Sequence, residues 1–321
     1  MALIFGGRSG EHEVSIRSAQ SVRQALDPSK YEVLDHFIDK EGKWQPKAIC
    51  PEPGGNPEID VAFPVLHGTF GEDGTVQGLL ELAEIPYVGA GVLASAVAMD
   101  KAVTKRLCQS AGLPVVPYLV LTRGHFDPEA LEVPFDFPVF VKPANLGSSV
   151  GITKVKSRQG LVTALTTAAR YDRKIVVERG IDGREFECAV LGGADPKAST
   201  PCEILPSQEF YTYEDKYLLD KARIDLPANL TPAQTSEMQV LALAAFKAVD
   251  CEGMARVDFL MEKGTGQFFV NEINTIPGFT SISMYPKMWE YSGVPYSQLL
   301  DTLIGFALER AEERRELQYT R

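Results

Sequence analysis

Up to about residue 98, short apolar runs end in glycine and give way to stretches of helical spacing. This alternation restricts the fold more than any other feature. ALIFGG is followed by polar GEHE and then by SIRSAQSVRQALDP, in which Ile16, Ala19, Val22 and Leu26 recur on one helical face. Ser15 stands where an N-cap would, and Asp27-Pro28 where the helix would stop. YEVLDHFI and VAFPVLHG are two further strand-like runs, with the surface-loop composition of PEPGGNP between them. VQGLLELAEI reads as helix, IPYVGAG as a strand ending in glycine, and VLASAVAMDKAVTKRLCQSAG as helix. The pattern predicts an α/β domain over residues 1–98, a parallel sheet covered by helices on both faces.

Beyond that point the pattern changes. VPYLVLTR, FPVFVKP, SVGITKVK and KIVVERG are strand-like, with one helical stretch, GLVTALTTAARY, before the last. They predict a small α+β unit over residues 99–182. A third region, 183–321, holds strands in REFECAVLG and PCEILP, a polar aromatic segment QEFYTYEDKYLLDKARIDLP and a helix TPAQTSEMQVLALAAFKAVD. Two more strands, MARVDFLME and GQFFVNEIN, precede a C-terminal helix. That helix is expected to bury Leu299, Leu300, Leu303, Ile304, Ala307 and Leu308 and to end in a solvated tail, AEERRE.

Composition removes several function classes. With 32 basic against 43 acidic residues the net charge is −11, which disfavours a nucleic-acid groove. No apolar run approaches the roughly 20 residues that span a bilayer, and MALIFGG lacks the plan of a secretion signal, so no membrane partner and a cytoplasmic location are expected. Five scattered cysteines without a CxxC spacing suggest neither a disulfide framework nor a zinc site, and are read as small buried apolar residues. Four histidines and no HExxH make a histidine-based metal enzyme improbable.

The segment MARVDFLMEKGTGQFFVNEIN reads as a hairpin around a glycine turn. Residues two apart share a face of a strand, so Arg256 lies with Asp258, and Glu272 with Asn274. A hairpin centred on Thr265 sets Asp258 opposite Glu272 and Arg256 opposite Asn274. It also sets Val257, Phe259, Met261, Phe269 and Ile273 on a common apolar face. Two carboxylates and an amide oxygen suit Mg²⁺, which keeps positions for water and substrate phosphate. A salt-bridged strand face, with Arg256 neutralising Asp258, accounts for the hairpin equally well.

FPVFVKPANLGSSVGITKV places Lys142 at a strand end before a loop whose Gly147 and Gly151 let the backbone approach an anion, with Ser148 and Ser149 as added donors. No GxxxxGK[ST] occurs, so this is not a P-loop. In VVERGIDGREF a strand runs into Glu178 and Arg179, with Glu185 beyond, a pattern that can serve an adenine edge and ribose hydroxyls.

Taken together, VKPANLGSSVGI, VVERGIDGREF, EDKY, ARVDF and NEINTIPGFTS, in this order and at these spacings, resemble the ATP-grasp superfamily. With GEHEVS, LHGTFGEDGTVQG and GAGVLASAVAMDK, the chain from Gly6 to about Leu303 is similar to the D-alanine:D-alanine ligase family within it. The resemblance implies a two-lobed ATP-grasp fold after the first domain, with a lid over about residues 207–222. ATP would lie between the lobes, and two Mg²⁺ (or Mn²⁺) ions on Asp258, Glu272 and Asn274, with Glu272 bridging. Lys101 and Lys142 match phosphate-contacting lysines, Glu178, Arg179 and Ile181 the adenine-side strand, and Glu185 the ribose carboxylate. Ser148 and Ser149 belong to the loop over the phosphates. Phe210, Lys216 and Tyr217 fall in the lid, Lys216 reaching the terminal phosphate. Glu11, with His67 nearby, matches the group that holds the first D-alanine, and Ser15 is placed in a network with Glu11. Arg256 and the N–H of Gly278 match the oxyanion donors, and Ser283 and the N–H of Met284 the carboxylate site of the second D-alanine. A homodimer is also implied. Only five residues precede Gly6, fewer than the resemblance leads one to expect, which points either to a clipped first strand or to a misassigned start.

Other readings compete. GAGVLA fits GxGxxA, but CQSAGLPVVP stands where a dinucleotide site needs an acid. Ser15 serves equally as a plain helix cap, and His67 as a satisfied histidine at a strand end. Within the resemblance, the alternatives are another ATP-grasp carboxylate-amine ligase or a variant whose acceptor is D-lactate or D-serine; Tyr217, where depsipeptide-forming relatives tend to carry Phe, favours the dipeptide. A silent ATP-binding protein is the rival from another class.

Overall fold

The structure, a computed structural model, describes residues 1–205 and 223–318. Its first sheet is built on β1 (Ala2–Gly6), which pairs in parallel with β2 (Leu34–Ile38) on one side and β4 (Ala62–Pro64) on the other; β3 (Trp44–Gln45) closes the β2 edge antiparallel. Successive side chains of β1 enter two different cores. Leu3 joins Ala19 and Val22 of α1 (His12–Ala25), and Ala2 and Ile4 join Val76 and Leu80 of α2 (Thr75–Leu82). All three strand residues are fully buried, as a sheet covered on both faces requires.

Two expectations are corrected in this region. Helix α1 begins at His12, so Ser15 lies inside it and caps nothing. Its hydroxyl instead accepts from Gly6 N at 2.8 Å and donates to Val65 O at 2.6 Å, tying the ends of β1 and β4 together. The long helix expected after IPYVGAG is two, α3 (Val92–Met99) and α4 (Lys101–Ser110). Asp100 adopts an extended backbone between them, and its carboxylate accepts from Ala102 N and Val103 N. A capping aspartate satisfies orphan N–H groups only at a helix start, so a new helix begins there.

The next sheet is antiparallel, in the order β5 (Tyr118–Thr122), β8 (Lys174–Arg179), β6 (Val139–Pro143), β7 (Thr153–Val155), with α5 (Arg158–Tyr171) packed on it. The third sheet centres on β9 (Gly183–Gly192) and β13 (Gly253–Glu262), paired along their whole length. Outside them lie β14 (Phe268–Asn274) on one side and β11 (Cys202–Leu205) and β12 (Arg223–Asp225) on the other, with β10 (Lys197–Ala198) on β9. Helix α6 (Pro232–Ala248) starts at a capping box, Thr231 with Gln234, and covers one face with Met238, Ala242, Ala245 and Phe246.

Helices α7 (Met284–Tyr291) and α8 (Tyr296–Arg315) return the chain to the first sheet, where Leu299, Leu300, Leu303 and Ile304 share a core with Leu3. Leu308 is 40% exposed, contrary to expectation, because it falls outside this stripe. Nor is AEERRE merely a solvated tail: α8 runs through most of it, and Arg314 pairs with Glu81. One turn earlier, Arg310 donates to the carbonyls of Tyr87 and Gly89, each at 2.7 Å, and stacks on the Tyr87 ring. Four of the five cysteines are buried, as expected. Among the described residues no helix is long and apolar enough to cross a membrane.

Candidate functional site

Strands β13 and β14 pair Arg256 with Asn274 and Asp258 with Glu272, the register that hydrophobic matching favours. Just past this point it shifts: Phe259 pairs with Val270, leaving Asn271 as an extra, bulged residue. The bulge inverts the alternation, so Phe268 and Val270, not Phe269, join Val257, Phe259, Met261 and Ile273 in the core. Phe269 lies on the other face, beneath the Arg179 guanidinium. Without the bulge, Phe268 and Val270 would share the polar face of Glu272 and Asn274.

On that face Arg256 grips Asp258 with two hydrogen bonds of 2.7 and 2.6 Å, and Asn274 Nδ2 donates to Asp258 Oδ2 at 3.1 Å. Arg256 also lies 3.3 Å from Glu187, which β9 brings alongside Asp258 in register. Three carboxylates, Glu187, Asp258 and Glu272, thus stand side by side across three strands. Burial pushes the Asp258 carboxyl up to about 7, against the pull of Arg256 and with Glu187 and Glu272 adding to the rise. The contact of Arg256 with Asp258 is thus present on the same face as Glu187, Glu272 and Asn274, and among the described residues no group of three or more His, Cys, Asp or Glu side chains is gathered closely enough to hold a metal ion as it stands. Glu187 was missed in the sequence, although its spacing of two from Glu185 is the signal used for Asp258 and Arg256.

A second group lies on β6 and β8. Lys142 Nζ donates to Glu178 Oε2 at 2.7 Å, and Lys105 Nζ from α4 sits 3.2 Å from Oε1. Burial alone would raise the Glu178 carboxyl, but the two ammonium groups hold it down at about 2. Burial depresses Lys105, whereas at Lys142 the same downward pull of burial is outweighed by Glu178 together with Glu272 and Glu185, and the ammonium group is raised. Lys105 was not singled out in the sequence; its only signal is a spacing of four from Lys101, which puts both on one helical face. Lys105→Met is expected to cost about 3 kcal/mol, the low end for breaking a buried pair, because Glu178 keeps Lys142. Urea titration checks this, and an unchanged midpoint would show that the third member of the cluster adds nothing.

Lys101 Nζ donates to Leu146 O at 2.5 Å, so α4 holds the loop of Ser148 and Ser149 from below. Both serines have left-handed backbone, at φ 51° and 60°. Successive residues in this region turn N–H groups toward one concavity. Lys101, Lys142, Ser148, Ser149, Glu178, Arg179, Ile181 and Glu185 line a cavity of about 490 Å³ that also takes in Asp258 and Glu272. Asn271 lines it too, and its buried Oδ1 finds no hydrogen-bond partner among the described residues. Phe210, Lys216 and Tyr217 lie outside the described residues.

A neighbouring cavity of about 300 Å³ is lined by Glu11, His67, Arg256, Asn274, Gly278, Ser283 and Met284. Ser148 Oγ donates to Glu11 Oε1, closing the loop onto the first domain. His67 is 4% exposed, and its Nδ1 lies 3.1 Å from Ile276 O. Ser283 Oγ receives Thr280 N at 2.9 Å, and Met284 opens α7, whose first N–H groups favour an anion. A Cβ at Gly278 would come within 2.6 Å of Ser283 Oγ, so any larger residue there would displace the Ser283 hydroxyl. Lys101, Ser148, Glu187 and Glu272 line both cavities, which therefore meet.

Residues 1–54 and 50–90 match the family described as D-ala D-ala ligase N-terminus, and residues 107–305 that described as D-ala D-ala ligase C-terminus. The D-alanine–D-alanine ligase of Solibacter usitatus is 60% identical over all of this chain and 99% of its own. That of Caldicellulosiruptor bescii is 46% identical over 100% of this chain and 98% of its own. Among solved structures, the D-alanine-D-alanine ligase from Coxiella burnetii superposes with a TM-score of 0.84 at 39% identity, over 98% of this chain and 95% of that one. The VanG D-Ala:D-Ser ligase from Enterococcus faecalis does so with 0.85 at 36%, over 95% and 98%. With both halves matched and relatives similar from end to end, the chain belongs to the D-alanine–D-alanine ligase family.

Proposed function

We propose that this chain is an ATP-dependent ligase that joins two D-alanines into D-alanyl-D-alanine through an acyl phosphate. The observation that carries the reading is the meeting of the two cavities at Ser148 and Glu272. A carboxylate held in the smaller one can face a terminal phosphate held in the larger. Lys101, Lys142 and the loop of Ser148 and Ser149 would hold the phosphates, Glu178, Arg179 and Ile181 the adenine side, and Glu185 the ribose. Glu11, with His67 beside it, would hold the ammonium group of the first D-alanine. Phosphoryl transfer to its carboxylate depends chiefly on positioning and charge neutralisation. The amine of the second D-alanine, its carboxylate on Ser283 and the N–H of Met284, then attacks the acyl carbon, and phosphate leaves. Arg256 and the N–H of Gly278 would receive the charge that develops on the acyl oxygen.

Asp258, Glu272 and Asn274 offer hard oxygen donors on two adjacent strands, which fits Mg²⁺ or Mn²⁺. When bound, such ions would supply charge neutralisation at the phosphates. The family reading brings with it a cytoplasmic homodimer that supplies peptidoglycan precursors. Acceptor choice is tested by incubating the protein with ATP, Mg²⁺ and D-alanine, with and without D-lactate or D-serine, and identifying products by mass spectrometry. D-alanyl-D-alanine with stoichiometric ADP is expected. A predominant D-lactate or D-serine product would redirect the specificity, and no ADP with any of them would leave a silent nucleotide binder.

A further inference from the structure

Gly278 carries the backbone N–H assigned above to the oxyanion, yet a glycine has more backbone freedom than any other residue. An oxyanion donor works only if its direction is set before the charge develops. Something must therefore hold the peptide plane of Pro277-Gly278, and two of the groups placed to do so, Ser18 and His67, come from the N-terminal region.

Ser18 is completely buried in α1, with its hydroxyl 2.9 Å from His67 Nε2. The same oxygen accepts the N–H of Phe279 at 3.3 Å. At the far side of the imidazole, Nδ1 faces the carbonyl of Ile276 at 3.1 Å and so carries a proton. The connections form a closed loop: Ile276 carbonyl, His67 ring, Ser18 hydroxyl, Phe279 N–H. Pro277 and Gly278 are the two residues enclosed. With a neutral ring, the Ser18 proton goes to Nε2; with a charged one, Ser18 accepts from both Nε2 and Phe279. In either state both ring nitrogens and the Phe279 N–H have a partner. Tyr296 of α8 donates to the Phe279 carbonyl at 3.0 Å, and the Phe279 ring packs edge-on against Phe63. The chain on both sides of Gly278 is thus fixed, while Gly278 itself lines the smaller cavity.

We propose that Ser18 is a positioning residue for the reaction. Through its bonds to His67 and Phe279 it clasps the Ile276–Phe279 turn and aims the Gly278 N–H. This inference deepens the ligase reading and rests on it. It also gives His67 a second duty, as the bridge between Ser18 and Ile276.

The test is Ser18→Ala, which removes one oxygen and leaves the helix a good helix former. A small misplacement of a catalytic donor costs on the order of 10-fold to 100-fold in rate, so kcat is expected to fall by that factor while KM for ATP stays within about twofold. Affinity for a phosphinate analogue of the dipeptide, whose tetrahedral phosphorus stands at the acyl carbon, is expected to fall in parallel. Hydrogen exchange at the Gly278 and Phe279 amides, followed on the intact protein without substrate, is expected to quicken. A variant with kcat within twofold of the unaltered enzyme, or one that loses rate but keeps analogue affinity and amide protection, overturns the proposal. Failure of the ligase reading itself would show instead as absence of dipeptide with the unaltered enzyme, and the exchange measurement would still decide the clasp.

Discussion

Glu272→Gln leaves the protein folded and removes its turnover. The substitution keeps the shape of the side chain, so the pairing of Glu272 with Asp258 and the packing behind it have no reason to change. What it removes is a full negative charge where the two cavities meet. Phosphoryl transfer relies on positioned charge, and losing one such element lowers kcat on the order of a thousandfold. Stability is expected to change little, because Glu272 adds to the rise of Asp258 to about 7 but also favours the charged forms of Lys142 and Arg256. Without it the Asp258 carboxyl moves back toward the usual carboxylate range, and its contact with Arg256 strengthens. ADP release in a coupled assay and calorimetric melting together check the prediction. Near-normal phosphate release would take Glu272 out of the proposed metal site.

Replacement of Arg256 separates two duties that the structure gives to one side chain. It neutralises Asp258, whose side chain is only 13% exposed, and lies against the buried Glu187. In Arg256→Met those carboxylates lose their cation, and breaking a buried pair from one side costs about 3–5 kcal/mol. As an oxyanion donor its loss lowers kcat by about 10²–10³. Arg256→Lys keeps the charge but not the fork that reaches two carboxylates at once. Most of the stability is expected to return in the lysine variant, and little of the rate. Denaturant titration and initial rates of dipeptide formation read the two separately. A lysine variant that recovers both would reduce Arg256 to a point charge.

Features carried by neighbours in the chain are legible in the sequence alone. Glycine-punctuated strands mark the first sheet, and the register of Asp258 on Glu272 follows from a short hairpin with one polar face. The same local reasoning fails at FFVNEIN, where apolar residues fall on both parities and alternation does not say which one faces inward. A bulge at Asn271 resolves it, and nothing in the local pattern announces a bulge. Ser15 resembles a cap because caps and buried ties use the same residue types; only the position of Val65, fifty residues on, tells them apart.

By itself, then, the sequence determined the elements, the polar face of the hairpin and the inventory of carboxylates, lysines and loop glycines, since these depend on periodicity and side-chain chemistry within a few residues. The tertiary structure decided which of them meet. It set Glu187 beside Asp258, buried Lys105 against Glu178, docked the last turns of α8 on Tyr87 and Gly89, and brought Ser18 to the turn at Gly278, 261 residues from Ser18 to Phe279. Contacts across such separations follow from how whole sheets and helices pack, because only packing brings distant polar groups close enough to satisfy one another once water is excluded.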